Sequence, residues 1–186
     1  MDLVELEHQA AVCNLCELYV NRNKPVFAKG STSSKLIICG MCPGPEENKT
    51  GIPFVGDAGK ILDEILLAAF NDVDNANVYI TNLVKCFVPP GTSLDKSWMN
   101  RCLPYFIVQI KLIKPRAIIA LGKDVSNFLL NNTSSMKGMR GKIFNYIGGI
   151  KLLSTYHPSY LARGGGVKHN QFQTVVNDFK MIYRYM

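Results

Sequence analysis

The chain contains no apolar run long enough to span a bilayer, so no membrane-crossing helix is expected. Residues 1–12 carry Asp2, Glu5 and Glu7 and no basic stretch, which argues against a secretory signal. There is no internal repeat and no low-complexity tract. Carboxylates are scarce: 14 Asp and Glu stand against 21 Lys and Arg, a net charge of +7 in 186 residues. A basic balance of this size suits a polyanionic partner such as nucleic acid. Hydrophobic residues make up 47% of the chain, enough for a sizeable core, and charged residues only 19%, too few for a disordered chain. These features lead us to expect one domain of ordinary size, residues 1–186, in a soluble, cytoplasmic protein, and we expect a monomer.

Four short apolar runs rich in β-formers stand out: Leu36–Cys39, Val78–Thr81, Ala117–Leu121 and Leu152–Thr155. They lack polar alternation and end in turn chemistry, as buried strands do. Helical spacing fills the intervals at Gly59–Phe70, Ser97–Ile113, Lys123–Leu130 and Gln171–Tyr185, with a bend or restart expected at Pro104. The alternation predicts an α/β fold, a three-layer α/β/α domain around a central, mostly parallel four-stranded sheet. Each run is followed by a polar or glycine-bearing segment: Gly40–Gly44, Asn82, Gly122 and Tyr156–Ser159. Ligands of open parallel sheets bind beyond the carboxyl ends of the strands, so these four segments are expected to converge on one cleft.

The chain has six cysteines and no sign of secretion, which favours metal binding or catalysis over a disulfide scaffold. Cys13 and Cys16 form a C-x-x-C pair in a polar region. With Cys86 and Cys102 they can close a tetrahedral thiolate site for zinc or for an iron–sulfur cluster, and spacing does not choose between the two. The second C-x-x-C, Cys39 and Cys42, reads as accidental. Cys39 ends a buried strand, where cysteine is a common small core residue, and Cys42 lies past the turn.

Taken in order, the motifs Cys13-x-x-Cys16, Gly40-Met-Cys-Pro-Gly44, Gly51-Ile-Pro-Phe-Val-Gly56, Thr81-Asn-Leu-Val-Lys-Cys86, Cys102-Leu-Pro-Tyr105, Met139-Arg-Gly141 and His157-Pro-Ser-Tyr-Leu-Ala-Arg163 cover nearly the whole chain. So arranged, they resemble the uracil-DNA glycosylase superfamily, most closely its iron–sulfur-containing family 4. The resemblance implies a [4Fe–4S] cluster on Cys13, Cys16, Cys86 and Cys102, regarded as structural. It also implies a DNA repair activity that flips deoxyuridine out of single- or double-stranded DNA and hydrolyses its N-glycosidic bond. On that basis Phe54 stacks on the base and Asn82 reads its O4 and N3–H edge. His157 donates to O2 as the uracil anion leaves. Gly40, Met41, Cys42 and Gly44 shape the base-binding loop. Ser159, Arg140 and Lys142 contact phosphate, Tyr160 and Leu161 wedge into the vacated stack, and Arg163 and Lys168 flank a flexible basic loop, Gly164–Gly166.

One part of the family pattern is missing. Family 4 proteins usually carry Glu where this chain has Met41, and family 1 enzymes carry a water-activating Asp at the position of Cys42. Asp57, just after the Phe54 motif, is the expected substitute, as in family 5, with Glu46 and Glu47 further along the loop. Asp57 also suits the start of the helix that follows. Three other readings stand beside this one. The first is the same fold acting on another deaminated or modified base, because Met41 and Cys42 alter one wall of the pocket. The second is a weakly catalytic DNA-binding relative, such as a replication accessory subunit. The third, covalent capture of the abasic sugar by His157, finds no Arg-rich insertion before His157 to support it.

Overall fold

The computed structural model describes residues 1–72 and 77–186. Six strands form one sheet: β1 (Ala28–Gly30), β2 (Leu36–Gly40), β3 (Tyr79–Asn82), β4 (Ala117–Leu121), β5 (Lys142–Asn145) and β6 (Lys151–Thr155). Their order across the sheet is β1-β3-β2-β4-β6-β5. The four expected runs are its parallel centre, and β1 and β5 add an antiparallel strand at each edge. The four-strand expectation is therefore two strands short. Both missed strands are short and partly exposed, with burial too uneven to leave an apolar run.

The central strands read as unbroken apolar runs because both faces of the sheet are covered. Alternate side chains divide between two cores. Ile37, Cys39, Ile118, Ala120 and Leu152 pack with helix α5 (Lys96–Ile113) and α6 (Lys123–Leu130). Leu36, Ile38, Ile80, Ile119 and Leu153 pack with α4 (Asp57–Phe70), α8 (Pro158–Arg163) and α9 (Phe172–Ile182). Helix α4 buries Leu62, Ile65 and Leu66, as its spacing predicts, and α9 buries Val175, Val176, Phe179 and Ile182. Helix α5 continues through Pro104 as one element, so the expected restart does not occur. Short helices α1 (Leu3–Ala11), α2 (Leu18–Asn21), α3 (Pro45–Thr50) and α7 (Met136–Met139) complete the described elements with three 3-10 turns. None of the described helices is long and apolar enough to cross a membrane.

Strand register sets the cleft. Gly40 pairs with Asn82 across β2 and β3, and Leu121 with Thr155 across β4 and β6. The segments after these residues therefore leave the sheet at one level. The Gly122 N–H donates to the Thr155 carbonyl at 2.8 Å, tying the last two exits together.

A buried polar link braces the end of β6 against α9. Asp178 of α9 is 2% exposed and accepts from Arg140 Nη1 at 2.8 Å and from Thr155 Oγ1 at 2.6 Å. Asp178→Ala leaves both donors unsatisfied and is expected to cost about 2 kcal/mol, read from the midpoint of urea unfolding. An unchanged midpoint would show that the link carries no stability.

Candidate active site

Cys42, Pro43, Gly44, Glu47, Phe54, Ala58, Asn82, His157 and Ser159 line one cavity of about 150 Å³ at the carboxyl ends of the central strands. Most of the expected base-binding residues thus meet in one place. Gly40 lies beneath them. A methyl group there would stand 2.3 Å from Asn82 Oδ1 and 2.7 Å from the Phe54 ring, so only glycine lets both side chains close over β2. Asn82 is 2% exposed, and its Oδ1 has no hydrogen-bond partner among the described residues. Such an oxygen is costly to bury unless a ligand supplies the donor.

Phe54 sits in the left-handed region with φ of 54°, a conformation that needs holding in a bulky residue. Two contacts hold it. Its carbonyl accepts from Lys29 Nζ at 3.0 Å, and the first turn of α4 closes on the same carbonyl at Gly59. A Cβ on Gly59 would lie 2.1 Å from that oxygen. Burial lowers the Lys29 pKa, with Asp63 and Glu47 opposing the shift.

Helix α8 builds the His157 site through a cap. His157 is its N-cap, Pro158 its first residue, and Nδ1 accepts from the Ser159 N–H at 3.1 Å. The Ser159 hydroxyl lies 2.9 Å from the same nitrogen. With Nδ1 accepting, the ring proton belongs on Nε2, which makes that atom a donor. Burial pushes the His157 pKa down to about 4, Arg163 adding to the shift and Glu47 opposing it. The imidazole is therefore neutral at ordinary pH. Its ring lies 5.9 Å from that of Phe54, inclined by 28°.

Four expectations are corrected here. Met41 does not line the cavity: it is 7% exposed and packs into the core that holds Cys39 and Val84. Asp57 does not reach the cavity either. It opens α4 with its side chain 85% exposed and pairs with Lys60 at 3.1 Å. Leu161 is fully buried in the α4–α9 core, so it is no wedge. Arg140 directs a guanidinium nitrogen inward to Asp178 rather than standing free for phosphate. Tyr160, by contrast, is exposed and packs against Tyr156 and His169. Arg163 and Lys168 are exposed as expected, and Gly164–Gly166 wraps His169, with a Gly164 Cβ only 2.1 Å from that ring.

The carboxylate facing the cavity is Glu47. Gly44 caps α3 and Pro45 opens it, which places Glu47 in the first turn with its side chain folded back. It is 7% exposed, and one oxygen, Oε1, accepts from the N–H groups of Val55 and Gly56, both at 2.9 Å. Oε2 keeps free lone pairs beside Gly44. The Gly44-Pro45 start signals a helix beginning here, but only the packing separates the buried Glu47 from its exposed neighbour Glu46. Cys42 is no substitute, because burial, with Asp124 adding, raises its thiol to about 11.

Cys13, Cys16, Cys86 and Cys102 line a second cavity, together with Arg22, Lys85 and Arg101 among others. Cys39 and Cys42 take no part in it. Arg22 donates to Cys86 Sγ at 3.2 Å, and Trp98 Nε1 on α5 donates to Glu17 at 2.6 Å, fastening the N-terminal thiol pair to the body. Among the described residues, no three His, Cys, Asp or Glu side chains are arranged to hold a metal ion.

A family model described as the uracil DNA glycosylase superfamily matches residues 27–180. The chain belongs to the uracil-DNA glycosylase superfamily. It is 34% identical over 165 residues to the Type-4 uracil-DNA glycosylase of Thermotoga maritima, covering 88% of this chain and 83% of that protein. It is 35% identical over 170 residues to the Type-4 enzyme of Pyrobaculum aerophilum, covering 88% and 86%. The Type-5 uracil-DNA glycosylase of Mycobacterium leprae is 28% identical over 193 residues, covering 83% and 84%. The superfamily match takes in the whole sheet and every residue of the cavity, but begins after Cys13 and Cys16.

The neutral His157 has a pH signature. A group that must stay unprotonated, with its pKa at about 4, keeps working as the medium falls through the ordinary histidine range. The acid limb of single-turnover base release is expected near pH 4, and a limb between 6 and 7 would contradict this environment for His157.

Proposed function

We propose that this chain hydrolyses the N-glycosidic bond of deoxyuridine in DNA, with Glu47 as the carboxylate that serves the attacking water. The observation that carries the reading is the convergence of four roles in one small cavity. Phe54 provides a stacking face, Asn82 an unpartnered amide oxygen, His157 an Nε2–H donor and Glu47 a carboxylate. The relatives' Type-4 names point the same way. A cavity of about 150 Å³ is small beside the ~300–1,000 Å³ of pockets for drug-sized ligands, and suits a single flipped base.

In this reading Asn82 Oδ1 accepts from uracil N3–H and its Nδ2 donates to O4. Cytosine has no N3–H, which leaves Oδ1 unpaired and rejects that base. As the N1–C1′ bond breaks, its electron pair passes into the uracil ring. The growing charge on O2 meets the His157 Nε2–H, which needs no prior protonation. The sugar left behind carries oxocarbenium character. Glu47 stabilises that charge and accepts the proton of the water that bonds to C1′. Tyr160, Arg163 and Lys168 contact the DNA. Ser159 keeps its hydroxyl on His157 and acts as the orienting group rather than as a phosphate ligand. We take the working form to be a soluble, cytoplasmic monomer that acts as a single domain.

The weakly catalytic reading rested on the missing carboxylates, and the altered-base reading on Met41 and Cys42 reshaping one wall of the pocket. Glu47 offers a carboxylate at the cavity and Met41 faces the core, while Cys42 does line the cavity. The test is an oligonucleotide with one deoxyuridine, treated with alkali after incubation. Strand scission is expected. Glu47→Gln should lower kcat by about 10²-fold, within the usual range for a general base, while Asp57→Ala stays within about twofold of the parent. No scission by the cluster-bearing parent, or a deep loss in Asp57→Ala with none in Glu47→Gln, would overturn the reading.

We infer further that Cys13, Cys16, Cys86 and Cys102 hold a [4Fe–4S] cluster. Two observations support a thiolate site, and the resemblance to the iron–sulfur-containing family 4 favours a cluster over zinc. The four thiols share one cavity. Arg22, Lys85 and Arg101 line the same cavity and would offset the negative charge of a thiolate site. When bound, the group would supply a cross-link from the N-terminal segment to the turn after β3 and to α5. Protein prepared without air should be brown, with about four irons and four sulfides per chain. Stoichiometric zinc without sulfide would refute the cluster.

A further inference from the structure

Lys85 interrupts the apolar run Leu83-Val84-Lys85-Cys86, and it is 2% exposed. None of the ion pairs among the described residues includes it. A buried ammonium without a countercharge is costly, so every one of its protons needs a partner. Nζ donates to Thr81 Oγ1 at 2.7 Å, to the Asn82 carbonyl at 2.6 Å and to Gln109 Oε1 at 2.7 Å. Each partner has to accept. The Thr81 hydroxyl spends its own proton on the Phe27 carbonyl at 2.6 Å, and Gln109 Nε2 donates to Tyr79 Oη at 3.0 Å. Three acceptors around one nitrogen describe a charged NH₃⁺ group.

These bonds join two sites. Thr81 and Asn82 end β3, and Asn82 lines the base cavity. Gln109 lies on α5, which carries Cys102 about two turns earlier. Lys85 itself precedes Cys86 and lines the cysteine cavity beside Arg22 and Arg101. Lys85 therefore lines the cavity of the four thiols, with Cys102 acting on its charge, while its ammonium grips the peptide from which the Asn82 amide projects. Two further bonds fix that turn to the base loop: Leu83 N–H donates to the Gly40 carbonyl at 2.9 Å and Val84 N–H to the Met41 carbonyl at 2.8 Å.

We propose that Lys85 is a positioning residue that couples the filling of the cysteine cavity to the aim of the Asn82 amide. The thiolates supply the countercharge that keeps its ammonium in place, and the ammonium holds the Asn82 peptide at the depth the base requires. This rests on the glycosylase reading, because it takes uracil as the ligand of Asn82.

The test uses free uracil as the probe, its dissociation constant measured by NMR titration, with iron and sulfide per chain determined on the same samples. Lys85→Met is expected to keep its iron and sulfide yet bind uracil about tenfold more weakly. Lys85→Met combined with Asn82→Ala should be no weaker than Asn82→Ala alone, since coupled residues are not additive. A lysine that only supports the core would lower the melting temperature and leave the uracil constant unmoved. If Lys85→Met loses its iron, Gln109→Met, which keeps the lysine and all four thiols, is read by the same criteria. Unchanged uracil binding in an iron-bearing variant, or an effect that multiplies with that of Asn82→Ala, overturns the coupling. A parent chain that neither binds uracil nor releases it from DNA refutes the glycosylase reading instead.

Discussion

Two backbone N–H groups, those of Val55 and Gly56, converge on one carboxylate oxygen of Glu47, and the rest of the site depends on that pair of bonds. They fasten the loop bearing Phe54 to the start of α3, and so fix the distance between the stacking face and the base loop. They also leave the second oxygen of Glu47 free beside Gly44. Charge-assisted bonds of this kind are about twice as strong as neutral ones.

The cavity opposes this anion with neutral groups. His157 is kept uncharged by burial and kept in one tautomer by the Ser159 N–H. Cys42 is kept as a thiol by the same desolvation. The site therefore places one carboxylate next to where a sugar cation would form. It holds one N–H donor where a base anion would form. That distribution of charge matches a bond breaking heterolytically between them, and the fold sets it before any ligand arrives.

Much of this was legible in the sequence because it rests on local rules. The four central strands were visible as apolar runs, and the convergence of Gly40–Gly44, Asn82 and His157 follows from parallel topology alone. The edge strands were not, since three or four partly exposed residues leave no periodic signal. The errors at the site share one cause. Which way a side chain turns at a loop or a helix start is decided by packing rather than by position along the chain. Asp57 and Glu47 both lie in first helical turns, yet one folds out toward Lys60 and the other folds back onto backbone N–H groups. Met41 and Cys42 are neighbours on opposite sides of one turn, so the residue that broke the expected pattern turned out to face the core. Leu161 follows the same logic, as the third residue after the Pro158 start and on the buried side of its helix. Lys85 had a signal of its own, a lysine inside an apolar run, but its partners come from two separate elements, β3 and α5, and only the fold brings them together.

The central claim is that Glu47, and no other carboxylate, stands at the reacting carbon of a base held between Phe54, Asn82 and His157. A crystal structure with DNA carrying a 2′-fluoro-deoxyuridine, whose glycosidic bond resists cleavage, tests it directly. The account predicts the uracil ring stacked on Phe54, N3–H on Asn82 Oδ1 and O2 on His157 Nε2. It also predicts a water between Glu47 Oε2 and C1′. A flipped base that meets Asp57 or bulk solvent at C1′, with Glu47 turned away, would contradict it.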